Sequence, residues 1–156
     1  MKSATGTAGW ASIRRHGKLG GVERQPSRRA RIAFAMWVGV ILIIVVPWYR
    51  WQGHTHWANV EWIPFSRSSH VRDGVLNTLF YLPFGFLYRR MMPRHTLGAV
   101  VAAFLLSSAT ELTQVHSHGR FPSSTDVLSN SIGAWIGMRW YDARSDRATD
   151  AGPDLR

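Results

Sequence analysis

Four mostly apolar stretches, separated by polar and basic residues, set the pattern of this chain. Ile32 to Trp48 (IAFAMWVGVILIIVVPW) holds no charge and lies at the lower limit of the roughly 17 to 25 residues that cross a hydrocarbon core as a helix. Gly74 to Tyr88 is shorter and contains Pro83 and Gly85, which membrane helices accept where neighbours re-satisfy the freed backbone groups. It reaches spanning length once Asp73 and Arg89 are included. Thr96 to Val115 is long enough but carries Glu111 in its last turns, and Asp126 to Tyr141 is the most polar, with Asn130 near its start and Arg139 near its end. The pattern predicts an all-α fold, a polytopic membrane bundle of four transmembrane helices over about 32–48, 73–89, 96–115 and 126–141, in a domain covering 31–141. Ser129, Gly133 and Gly137 recur every fourth residue, as do Gly98 and Ala102, and small residues on one face let helices approach closely.

The flanks give the orientation. Residues 1–30 are rich in Gly, Ser, Thr, Arg and Lys without apolar periodicity, which predicts a disordered basic tail; residues 142–156 predict a second one. Of the 19 Lys and Arg residues, all but Arg50, Arg67, Arg72 and Arg120 fall in the first stretch through Arg31, in the loop from Arg89 to His95, or from Arg139 onward. Positive charge concentrates beside cytoplasmic ends of membrane helices, so both termini are expected in the cytoplasm of a multi-pass plasma-membrane protein. Trp48, Tyr49, Trp51, Trp57 and Trp62 then form an outer aromatic belt, and Tyr88, Trp140 and Tyr141 an inner one. The formal charge of +10 suggests nucleic acid at first sight, but its placement beside apolar segments rather than along one polar face argues for no nucleic-acid partner. A mean hydropathy of −0.11 averages charged ends with an apolar middle, and the absence of cysteine excludes disulfides and thiolate chemistry.

In this topology the polar residues Asp73, Asn77, Glu111, Gln114, Arg120, Asp126 and Asn130 all lie toward the outer side. Asp73 and Asn77 are four apart, as are Asp126 and Asn130, and Glu111 and Gln114 are three apart, so each pair shares a helix face. Either Asp can serve as a helix cap, and either Asn as an interhelical hydrogen-bonding residue. Glu111 demands more, since a carboxylate inside a span costs about 2.5 kcal/mol or more unless neutral, paired or facing water. Arg120 and Arg72 are its candidate partners, and Glu111 is the candidate catalytic acid or base should the protein be an enzyme. The outer loops resemble each other: Pro64-Phe65-Ser66 precedes Asp73 and Asn77 as Phe121-Pro122-Ser123 precedes Asp126 and Asn130, the pattern of a duplicated hairpin. His54-Thr55-His56 and His116-Ser117-His118 sit in these loops, but alternate histidines in a flexible loop preset no geometry, and no metal or cofactor is expected. No phosphate loop, nucleophile elbow or His-Glu-x-x-His signature is present.

Trp62-Ile-Pro-Phe65, then Asp73, then Asn77-Thr-Leu-Phe-Tyr-Leu-Pro-Phe-Gly85, Glu111-Leu-Thr-Gln114, Arg120, and Asp126 through Asn130 to Gly133, taken in order, resemble the VanZ-like family. That resemblance implies a bacterial cell-envelope membrane protein, in a family whose namesake is associated with glycopeptide (teicoplanin) resistance. The functional expectation is an outer-leaflet pocket, lined by Asp73, Glu111, Arg120 and Asp126, that binds a membrane lipid, a lipid-linked cell-wall component or an amphiphilic antibiotic. The alternative is a non-catalytic scaffold or transporter-like bundle whose polar cluster only locks helices together.

Overall fold

The computed structural model describes residues 28–48, 50–66, 69–95, 97–118 and 121–150. Of the tail expected over 1–30, residues 1–27 lie outside them, as do Arg120 and residues 151–156, while Arg28, Arg29 and Ala30 open the first helix instead. Four α-helices carry the fold: α1 Arg28–Val45, α2 Ser69–Met91, α3 Gly98–Gln114 and α4 Ser124–Asp150, with one 3-10 turn at Trp57–Asn59. The all-α, four-helix expectation holds. Strand-like pairing among the described residues is limited to an isolated parallel bridge between Glu61 and Ser123.

The helix ends depart from the sequence pattern in informative ways. α1 starts at Arg28 and stops at Val45, two residues before Pro47, which lacks the amide a continuing helix needs. α2 starts at Ser69, so Asp73 sits in its second turn and does not cap it. α4 runs to Asp150, which corrects the expectation of an unstructured tail from residue 142. Ala143, Arg144, Arg147 and Ala148 are good helix formers, and the next breakers are Gly152 and Pro153. Among the described residues no helix is long and apolar enough to cross a membrane. α1 is 18 residues long and begins with Arg28, Arg29 and Arg31. α3 has 17 residues; α2 and α4 carry charges near their ends.

α2 and α4 run parallel and form the tightest pair. A Cβ on Gly133 would strike the Thr78 carbonyl oxygen, one on Gly137 the Leu82 carbonyl oxygen, and one on Gly85 the Ala134 backbone, so these helices meet backbone to backbone. The small-residue face of α4 read from Ser129, Gly133 and Gly137 is therefore a packing seam, and Thr78 adds a hydrogen bond from its hydroxyl to the Ser129 carbonyl at 3.2 Å. α1 leans on α2 through Phe34 against Phe84, centroids 5.0 Å apart, and Trp37 against Phe80 at 5.5 Å. The Trp37 indole donates to the Phe80 carbonyl at 3.3 Å. Ile41, Tyr81, Phe84, Ala103 and Ala134 complete a small apolar core.

Ala30, Ala99, Val115 and Met138 are buried as well, and much of the remaining interior is polar. Ser107, Thr110, Glu111, Gln114, Ser129 and Asn130 are buried, whereas Met36, Ile43, Ile44, Val75, Leu79, Phe104, Leu105, Leu112, Trp135 and Trp140 are exposed.

At the end of the bundle formed by the C-terminal part of α2, the Arg89 Nε donates to Asp142 Oδ1 at 2.7 Å, and both side chains are largely covered. Arg89 also donates to the Pro93 carbonyl at 2.6 Å. Asp142→Asn should lower stability by about 1–2 kcal/mol, between the values for an exposed pair and a buried charged hydrogen bond, as read by thermal unfolding of the purified protein.

Candidate functional site: a polar cluster beside an apolar cavity

The site lies at the opposite end, where α3 ends and α4 begins. Ser123 precedes α4, and its hydroxyl accepts from the Thr125 amide at 3.2 Å, the arrangement of a serine N-cap. In a capping box the N-cap amide is taken by an acid three residues on. Here it is taken from another helix: the Ser123 amide donates to Glu111 Oε2 at 2.8 Å. Glu111, only 8% exposed, thus holds the N-terminus of α4, where a carboxylate also complements the helix dipole. Asp126 occupies the first turn of the same helix and reinforces that effect.

One turn before Glu111, Ser107 accepts from the Asn130 amide at 2.8 Å, joining α3 to α4 inside the bundle. The Tyr81 hydroxyl of α2 is buried next to Ser107 and Glu111; the Asn130 amide oxygen is buried without a hydrogen-bond partner. Three helices therefore do bring polar groups together, but not the expected set. Glu111 and Asn130 belong to it. Gln114, also buried, reaches the other way, its amide lying 3.5 Å from the Val45 carbonyl at the end of α1. Asn77 is half-buried on α2. Asp73 faces outward beside Arg72, 3.6 Å away, with both side chains substantially exposed. Arg120 lies outside the described residues. Tyr81, Ser107 and Ser123 complete the cluster in place of Asp73. The signals that could have found them were the four-residue spacing of Ser107 and Glu111 and the Ser123-x-x-Asp126 capping pattern.

The cluster borders a cavity of about 550 Å³ between α3, α4 and the loop that follows α1. Its lining is almost wholly apolar: Trp57, Trp62, Phe104, Leu112, Val127 and Leu128 supply most of it, and Glu111 is the ionisable residue on its wall. The loop carrying the tryptophans is held in place by main-chain bonds, from the Glu61 amide to the Pro122 carbonyl at 2.8 Å and from the Ser124 amide to the Glu61 carbonyl at 3.0 Å. The Ser124 hydroxyl donates to the Trp62 carbonyl at 2.8 Å. Phe65, at the end of the same loop, adopts a left-handed φ of 54° and donates its amide to Thr125 Oγ1 at 2.9 Å. Such a conformation costs a bulky residue roughly 1–2 kcal/mol, so the Thr125 contact serves to hold the loop over the cavity.

No curated protein and no solved structure matches the chain. One family model does, over residues 31–143, a stretch that takes in α1 from Arg31, all of α2 and α3, and α4 through Ala143, and with them the polar cluster and every wall of the cavity; the chain belongs to the VanZ/LLP1 family.

Proposed function

We propose that this protein is a membrane-embedded bundle that binds the apolar part of an amphiphile in the cavity beside Glu111. The amphiphile is a membrane lipid, a lipid-linked envelope component or an amphiphilic antibiotic. The observation that carries the reading is the cavity itself: its volume of about 550 Å³ falls in the range of small-molecule sites, and its wall is apolar apart from a few hydroxyls and one carboxylate. An acyl chain or other lipophilic group fits such a wall, and Glu111 and the serines beside it suit a polar head.

The sorting of side chains supports the membrane setting. Each of the four helices presents large apolar residues outward, for example Ile43 on α1, Val75 on α2, Leu105 on α3 and Trp135 on α4, far more apolar surface than a soluble monomer exposes. Short spans are accommodated by local bilayer thinning and by flanking arginines that reach the interface, so a bundle can sit in lipid although no helix in it qualifies alone. The lack of cysteine makes the orientation easy to test. Gly53→Cys, where a side chain meets open space, should react with an impermeant maleimide added to intact cells, and Met92→Cys only after permeabilisation. The reverse pattern would invert the topology, and recovery of the chain in the soluble fraction would remove the membrane from the account.

Occupancy is tested with a phospholipid bearing a photoreactive acyl chain, in nanodiscs containing the full chain. Ser108→Phe, which fills the cavity, should cut labelling at least tenfold. Leu105→Phe, on the exposed side of α3, should leave it unchanged. Equal labelling of both variants would refute the cavity as the binding site. The grip of Glu111 on the Ser123 amide favours a second reading, a scaffold in which the cluster only locks α3 to α4; the Glu111 variants discussed below separate the two.

A further inference from the structure

The loop after α1 and the segment after α3 are joined by two main-chain hydrogen bonds, from the Gln52 amide to the His116 carbonyl at 2.8 Å and from the His56 amide to the Val115 carbonyl at 2.9 Å. This pairing brings one His-x-His stretch against the other. The rings of His54, His56 and His118 meet edge to face, with centroids 4.3 to 5.0 Å apart. His116, the fourth histidine of the two stretches, is taken up elsewhere, its ring stacked on Trp51 at 4.5 Å. The expectation that these loops preset no geometry fails because main-chain pairing, invisible in either segment alone, holds them in register.

From this convergence we propose a site for a divalent transition-metal ion of the zinc class, with His54, His56 and His118 as its three protein ligands. One nitrogen from each ring lies within 4.8 Å of those of the other two, and His54 Nε2 and His118 Nε2 are 3.1 Å apart. Zinc–imidazole bonds of about 2.0–2.1 Å in a tetrahedron place ligand nitrogens about 3.3 Å from one another, so a small inward movement of the rings completes the set. A hydrogen bond between His54 and His118 satisfies those two nitrogens only. His56 Nε2 is buried and has no hydrogen-bond partner, which is a cost for the empty arrangement that coordination removes.

Imidazole ligands without thiolate or carboxylate suit zinc, copper or nickel rather than calcium or magnesium. Three ligands leave a fourth position for water or a ligand group. The metal ties the loop carrying Trp57 and Trp62 to the end of α3, so it stiffens one wall of the apolar cavity. The site stands whatever occupies that cavity.

The test uses the tag-free full chain in detergent, stripped of metal and titrated with Co2+ as a spectroscopic substitute and with Zn2+. The expected result is one saturable Co2+ site with the strong visible d–d bands of tetrahedral coordination, lost on adding Zn2+. Saturating Zn2+, but not Mg2+, should raise the unfolding midpoint by about 5 °C or more. His54→Ala and His118→Ala change exposed side chains, so the fold should survive while the bands and the Zn2+ shift disappear; His95→Ala, in the loop before α3, should retain both. Absent or weak octahedral bands in the unmodified chain, an equal response to Mg2+, or undiminished binding in both loop variants would overturn the assignment.

Discussion

Gly137→Ala and Gly85→Ala should each destabilise the protein by about 3 kcal/mol or more, enough to deplete it from the cell and to lower its unfolding midpoint sharply in detergent. The added methyl on Gly137 meets the Leu82 carbonyl oxygen, and that on Gly85 meets the Ala134 backbone; neither obstacle is the movable end of a side chain. Relief requires α2 and α4 to separate, and this pair organises both the buried polar cluster and the start of α4. Gly39→Ala is the matched control. Gly39 lies inside α1 with open space around it, so alanine there should stabilise by about 0.5–1 kcal/mol through its better helix propensity. If all three variants behaved alike, the close α2–α4 packing would be wrong.

The second large effect is expected at Glu111, and the two substitutions should differ in kind. Glu111→Ala removes the acceptor of the buried Ser123 amide at the start of α4, and an orphaned amide with a lost charged hydrogen bond should cost about 2–3 kcal/mol of stability. Glu111→Gln keeps an oxygen for that amide and gives up only the charge, so its stability loss should stay near the 0.3–1 kcal/mol of a helix-dipole contact. Under the proposed function the Gln variant folds, reaches normal membrane abundance, and binds the photoreactive phospholipid about tenfold more weakly, the equivalent of about 1.4 kcal/mol. Any glycopeptide-resistance phenotype the protein confers should fall with it. The scaffold reading anticipates the opposite pairing, with stability lowered in both variants and ligand binding unchanged in whatever fraction folds. Measuring stability and labelling on the same preparations decides between them.

Several elements were legible along the chain because they are local. Four helices follow from four apolar stretches, and the α4 seam follows from small residues at every fourth position, a spacing that a helix turns into one face whatever surrounds it. Asp126 in the first turn of its helix was readable for the same reason. Asp73 was misplaced because α2 begins a turn earlier than the apolar run suggests, through Ser69, His70 and Val71. The end of α4 was missed because residues 142–150 are too polar to register in a hydropathy pattern, although their helix propensity is adequate.

The sequence by itself determined the helix count, the seam that α4 presents and the need of Glu111 for a partner. Only the tertiary structure revealed the Ser123 amide as one such partner. An amide at the start of α4 donates to the carboxylate, while Asp142 binds Arg89 from 53 residues away and two loops bring His54, His56 and His118 together. Helical periodicity arises from bonds between residues four apart, so it leaves a trace in any window of the chain. Pairings between distant segments depend on how helices cross and where loops return, and the residues that make them carry no sign of it in their immediate neighbours.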